Sequence, residues 1–103
     1  MKKKEPEKVA FTDGLLQLFS PLEPQVEKAH FYFSDFTVGV NRFFSAMLAG
    51  VEVARCVRIP QSSVKLDGTE SVVIEGKTYY IKQIQKKDDT FPKTLLLTLS
   101  ETG

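Results

Sequence analysis

The sequence predicts a mainly β protein: a small antiparallel β-barrel or sandwich of about six short strands, with one short helix inserted at about residues 41–49. Short apolar stretches alternate with polar residues at a period of two, turn residues separate these stretches, and only one stretch has helical spacing. A chain of 103 residues has the length of one domain. Residues 9–101 are therefore predicted to form a single barrel domain, preceded by a disordered tail of residues 1–8, which are polar and include a proline.

The first strands are predicted around a turn. The pair Asp13-Gly14 favours a tight turn, so residues 9–12 and 15–19 fit either a hairpin or one strand bent at the glycine. Pro21 and Pro24 are expected to break the segment that follows, because proline lacks a backbone N–H and restricts the residue before it.

A short aromatic strand is predicted next, at residues 30–33. Side chains alternate between the two faces of a strand. Phe31 and Phe33 are therefore expected to share one face, with Tyr32 on the opposite face.

Residues 41–49 carry the only convincing helical pattern. Asn41 can cap the first turn, and Gly50 follows the last turn, where a left-handed residue is favoured. A helix this short is not stable alone, so it must dock on its own domain or on a neighbour. Its apolar pairs at i, i+4 spacing are Phe43 with Met47 and Phe44 with Leu48.

The second half is predicted to be β-sheet. Arg55 interrupts the apolar face of the first strand in this half and is expected near an edge, and Pro60 is expected to end that strand. Glu75-Gly76 marks the clearest hairpin turn in the chain. The expected segments are strands over 51–59, 71–74, 78–84 and 94–99, and loops over 61–68 and 86–93.

Composition makes several classes of protein unfavourable. The 14 Lys and Arg residues against 13 Asp and Glu residues give a net charge of +1, whereas DNA-binding surfaces normally carry a basic excess. No apolar run approaches the roughly 18 residues of a membrane helix, and no apolar stretch follows the basic start, so a membrane partner is not expected and synthesis is expected to be intracellular. One cysteine allows no internal disulfide, and one histidine leaves too few ligands for a zinc site.

The sequence carries no catalytic motif, so an enzyme is not expected. His30 and Cys56 are the residues with most potential for catalysis, but a strand-edge or partly buried histidine and a strand-face or core cysteine are the favoured interpretations. Asp88-Asp89, Asp67 and Glu70 are expected to be solvated surface carboxylates, and no metal or cofactor site is predicted.

Two aromatic groups leave an alternative function open. On an OB-like barrel, residues 31–33 and the pair Tyr79-Tyr80 could stack on the bases of a single-stranded nucleic acid. Core packing explains one face of each strand equally well. The lysines at positions 2–4 are expected to be a solubilising tail.

The order of several motifs resembles a family of bacteriophage proteins. The motifs are Arg42-Phe43-Phe44-Ser45-Ala46, a strand ending at Pro60, the hairpin sequence V-V-I-E-G-K-T-Y-Y-I at residues 72–81, and a leucine-rich closing strand at residues 95–99. Over roughly residues 36–101 the chain resembles the head–tail joining proteins of long-tailed phages, also called head-closure, stopper or head–tail adaptor proteins. The versions from phages and prophages of Gram-positive bacteria are most similar.

The resemblance implies a structural β-barrel subunit without catalysis or cofactor, located in the virion and, during assembly, in the host cytoplasm. Such subunits form a homo-oligomeric ring beneath the portal and adaptor rings, close the channel that holds the packaged DNA, and present a surface to the tail-completion protein. Whether the isolated chain is a monomer or a ring stays open.

The resemblance also places a segment in the channel. In relatives the matching insertion, here residues 37–50, can reach into the channel and help to close it. An interface role and a role as a plug in the end of the barrel are equally compatible with its apolar helix. The implied assembly or channel residues are Val38, Arg42, Phe43, Phe44, Met47 and Leu48.

Overall fold

A computed structural model describes residues 5–36 and 53–102, which form a closed six-stranded barrel and a separate two-stranded sheet. The barrel order is β2-β3-β4-β8-β6-β5, and every neighbouring pair in it is antiparallel. The mainly β prediction is confirmed, and the predicted helix at 41–49 lies outside the described residues. The strands are β1 Glu7–Lys8, β2 Gly14–Ser20, β3 Glu23–Asp35, β4 Arg55–Pro60, β5 Ser71–Ile74, β6 Lys77–Lys87, β7 Thr90–Phe91 and β8 Thr94–Ser100.

Neither arrangement predicted around Asp13-Gly14, a hairpin or one strand bent at the glycine, forms, because residues 9–12 are not a strand. Instead β2 begins at Gly14, whose φ of 142° is unfavourable for other residues. Gly14 is paired with Phe33 across the ladder, and a Cβ atom at Gly14 would lie 3.1 Å from the Phe33 ring. The glycine is therefore needed for both its backbone angle and the close approach of this ring.

The prediction that the chain breaks at Pro24 is wrong, since β3 runs through it. Two features make the proline tolerable. The register between β2 and β3 shifts on both sides of Phe19, and β4 pairs only with Ser34 and Asp35 at the far end of β3. Among the described residues, Pro24 therefore faces no second strand that needs its missing N–H. Residues 19–28 of this hairpin are called the arm below.

The hairpin of β5 and β6 is confirmed. Glu75 and Gly76 connect the strands with φ angles of 51° and 79°. Two central residues with positive φ are the signature of a type I′ turn, whose twist matches that of antiparallel strands.

Alternate residues of the strands fill the interior of the barrel. Phe33 is 1% exposed in this core, whereas Tyr32 is 65% exposed on the outside, as the alternation predicts. Phe31 is partly buried against the core. The buried core residues are Leu16, Leu18, Phe33, Val57, Ile59, Val72, Ile74, Tyr79, Ile81, Leu97 and Leu99.

The short sheet of β1 and β7 lies beside β4 and is parallel. Glu7 accepts a 2.7 Å hydrogen bond from Arg58 Nη1, and Val9 N–H donates to the carbonyl of Phe91. Residues 7–8, which the sequence places in a disordered tail, are therefore paired with Thr90–Phe91. Residues 1–4 lie outside the described residues.

Candidate functional site

The implied channel residues, Val38 to Leu48, all lie outside the described residues. The described part of the chain offers three other regions with functional potential. They are a polar cluster around Arg55 at one end of the barrel, a cleft lined by lysines at the other end, and an aromatic cleft beside β3.

Arg55 closes the end of the barrel at which β4 begins. Its guanidinium carbon lies 5.3 Å from the ring centre of Phe33 and 5.9 Å from that of Tyr79, within the range of cation–π attraction. The Nη2 and Nε atoms donate hydrogen bonds of 2.7 and 3.2 Å to Asp35 Oδ1. The arginine that interrupts the apolar pattern is thus the first residue of the strand, at the mouth of the barrel.

The residues around Arg55 favour its charged form and raise its pKa. Burial acts to lower its pKa, but the interactions with Asp35 and Tyr79 together outweigh burial, and the pKa is raised above its usual value. The backbone N–H of Asp35 in turn donates a 2.8 Å bond to Asp13 Oδ2, which fixes the start of β2 to the end of β3. These hydrogen bonds therefore stabilise this end of the barrel.

A buried carboxylate organises the loop at the other end. Glu70 is 1% exposed, so the expectation that it is solvated is wrong. Its Oε2 atom lies 2.6 Å from Lys28 Nζ, and its two oxygens accept hydrogen bonds of 3.2 and 3.0 Å from the backbone N–H groups of Asp67 and Gly68. These donors compensate the cost of burying the charge. Asp67 itself is exposed, as predicted.

The loop fixed by Glu70 forms one wall of a cleft of about 630 Å³, called the lysine cleft below. Three lysines and one aspartate line it together with partly buried aliphatic side chains. Sequence reasoning missed this cleft because its lysines come from three distant parts of the chain. The lining residues are Lys28, Gln61, Ser62, Val64, Lys65, Leu66, Asp67, Lys86 and Leu95.

A second cleft, of about 510 Å³, lies along β3 and is called the aromatic cleft. It is lined by Phe11, His30, Phe31, Tyr32 and Pro60. The exposed imidazole of His30 places Nδ1 3.0 Å from a carboxylate oxygen of a neighbouring glutamate on the same strand.

The two aromatic groups considered for nucleic-acid binding do not form one surface. Phe33 and Tyr79 lie inside the barrel. Tyr32 and Tyr80 are exposed, but they lie on β3 and β6, which are not neighbours in the barrel.

The residues considered for catalysis occupy different environments. His30 lies on an exposed strand, whereas Cys56 is 3% exposed on β4. Burial raises the pKa of the Cys56 thiol, and a hydrogen bond to Thr98 only partly offsets this. Cys56 is therefore the strand-face cysteine that the sequence predicts.

Neither a group of metal-ligating side chains nor a membrane-spanning helix occurs among the described residues. Within residues 5–36 and 53–102, no three His, Cys, Asp or Glu side chains are grouped so that they could hold a metal ion. The same residues include no helix of sufficient length and apolar character to cross a membrane.

Comparison of the chain with protein-family models, with curated proteins and with solved structures found no match.

Proposed function

We propose that this chain is a structural subunit of the head–tail connector of a tailed phage or prophage. In this proposal the subunits form a ring beneath the portal and adaptor rings, close the DNA channel and receive the tail-completion protein. The mechanism is steric: a narrowed channel retains the packaged DNA, and docking free energy comes from exposed apolar side chains.

The observation that carries the proposal is that the barrel interior is filled, while large apolar side chains are exposed on the outside. The interior is filled by packed side chains, Arg55 caps one end, and the buried charge of Glu70 holds a loop. Large apolar side chains meanwhile remain on the outside, with Leu22 90% exposed and Val26 58% exposed on the arm. Such a molecule is suited to contact other proteins through its surface.

The hairpin that contributes most to the resemblance is consistent with this role. Residues 72–81 belong to β5 and β6 and contribute Val72, Ile74, Tyr79 and Ile81 to the core. The motif therefore maintains the barrel, and the contacts with other connector proteins are assigned to the remaining surface and to residues 37–50.

The proposal can be tested by complementing a phage that lacks the gene. Phe43→Asp or Phe44→Asp is expected to leave the circular dichroism spectrum unchanged but to abolish incorporation into particles, because a carboxylate cannot enter an apolar contact. Thr78→Asp is the matched control, since Thr78 is an exposed polar residue on β6. Loss of the folded spectrum in the Phe43 variant would instead place the predicted helix in the core.

The nucleic-acid alternative rests on the aromatic cleft, where Tyr32 is 65% exposed. A fluorescence titration with a labelled single-stranded oligonucleotide at low salt tests it. Binding that weakens steeply with salt and is lost in Tyr32→Ala would support this alternative over the connector. The connector proposal expects no such binding.

A further inference from the structure

The tip of the arm presents an apolar side chain on a rigid turn. Ser20 pairs with Glu23 across the turn, and the Ser20 hydroxyl accepts a hydrogen bond of 3.2 Å from the backbone N–H of Leu22. Pro21 fixes the backbone at the first central position of the turn. The turn fixes the backbone at Leu22, and the side chain is 90% exposed to solvent. A preorganised backbone loses little conformational entropy when it binds.

The charge around the tip is acidic. Glu23 and Glu27 are exposed on the arm, and the one cation of the arm, Lys28, is paired with Glu70. Glu23 is exposed and directly follows Leu22. The tip therefore combines an apolar side chain with an adjacent negative charge.

The lysine cleft has the complementary character. Val64, Leu66 and Leu95 provide apolar lining, and Lys65 and Lys86 are exposed beside them. The single lining carboxylate, Asp67, already accepts hydrogen bonds of 2.9 and 2.6 Å from the backbone N–H and hydroxyl of Thr69. The volume of about 630 Å³ is several times that of a leucine side chain.

The arm does not fill the cleft of its own chain. About 20 Å of extended chain lies between Leu22 and Lys28, which lines the cleft. The 90% exposure of Leu22 shows that its side chain is not buried in this cleft or against any other part of residues 5–36 and 53–102. The cleft is therefore available to another molecule.

We propose that the arm tip of one subunit, with Leu22 at its end, docks into the lysine cleft of a second copy of this chain. Leu22 enters the apolar part of the cleft, and Glu23 approaches Lys65 and Lys86. Because the tip and the cleft are different surfaces, the contact is head-to-tail and can close into a ring. The inference rests on the proposed ring, but its test requires only the purified chain.

Sedimentation velocity over a range of concentrations tests the contact. The natural chain is expected to associate as its concentration rises, and Leu22→Asp is expected to raise the dissociation constant by at least about tenfold. Leu15→Asp is the matched control, because Leu15 is 42% exposed on β2 away from the tip and should not change the association. The proposal would be overturned if the natural chain stayed monomeric, or if both variants lost association to the same extent.

A charge exchange makes the test specific for the two surfaces. Glu23→Lys in one chain and Lys65→Glu with Lys86→Glu in another should each prevent association, because like charges then meet. Mixing the two chains should restore association, since each tip then finds a cleft of opposite charge. Failure of the mixture to associate would contradict the assigned surfaces.

The size of the assembly separates this inference from the proposed function. An assembly larger than a dimer supports both the contact between tip and cleft and the proposed ring. A dimer that depends on Leu22 and on the charge exchange supports the contact but contradicts the ring. A monomeric natural chain that still joins heads to tails would overturn the contact and leave the connector role in place.

Discussion

Lys28 and Glu70, which are 42 positions apart, meet at 2.6 Å between Nζ and Oε2, with the glutamate side chain 1% exposed. This pair joins β3 to the loop before β5. The carboxylate would remain buried without its cation if the lysine were removed.

Lys28→Met is therefore expected to destabilise the protein by about 2–3 kcal/mol, because it leaves a buried carboxylate that only backbone N–H groups solvate. Urea unfolding measures the change. Lys82→Met is the control, since Lys82 is exposed on β6. Equal stability of the two variants would show that the pair contributes nothing.

Replacement of Gly14 should be more harmful than replacement of Gly68. Both have positive φ, 142° and 91°, so alanine strains the backbone at either position. At Gly14 the new Cβ would also lie 3.1 Å from the Phe33 ring, whereas at Gly68 nothing lies within 4 Å. Thermal unfolding should show an additional loss of about 1–2 kcal/mol for Gly14→Ala. Equal losses would mean that the Phe33 ring moves aside without cost.

Glu27 should titrate below its ordinary pKa of 4.5. A hydrogen bond with His30 is the main cause of this lowering, and one from Gln17 is the next. His30→Ala should raise the pKa of Glu27 towards 4.5, and Gln17→Ala should raise it less; carboxyl-carbon NMR follows both changes. Since the folded pKa is the lower one, the stabilisation is present above 4.5 and is lost as the pH falls through the folded value. An unchanged Glu27 titration in His30→Ala would contradict the assigned cause.

Cys56 should resist thiol reagents until the barrel unfolds. Its side chain is buried, and burial raises the pKa of its thiol, so the reactive thiolate is scarce and shielded. Alkylation followed by mass spectrometry should give slow labelling of the native chain and rapid labelling in urea. In Leu22→Cys the added thiol, on the exposed tip, should react at once without urea. Rapid native labelling of Cys56 would mean that its surroundings open easily.

Features fixed by neighbouring residues could be predicted from the sequence. The β5–β6 hairpin follows from Glu75-Gly76 and the alternation on both sides, and the burial of Phe33 opposite the exposure of Tyr32 follows from the same period of two. Arg55, which the sequence places near an edge, is instead the first residue of β4, and β4 has a neighbour on each side in the closed barrel.

Features made by distant residues could not be predicted. The sequence around Glu70 predicts a surface residue, because its partners, Lys28 and two backbone N–H groups, become apparent only in the fold. The strand β3 can continue through Pro24 because β4 pairs only with the far end of β3. This pairing cannot be predicted from the sequence. The lysine cleft likewise exists only once the barrel has brought its three segments together.

We propose that the chain closes phage heads and joins them to tails. Electron microscopy of particles produced by the phage or induced prophage after deletion of this gene tests it most directly. We expect tails lying separate from heads that have lost their DNA. Normal, infectious particles with tails attached would contradict it.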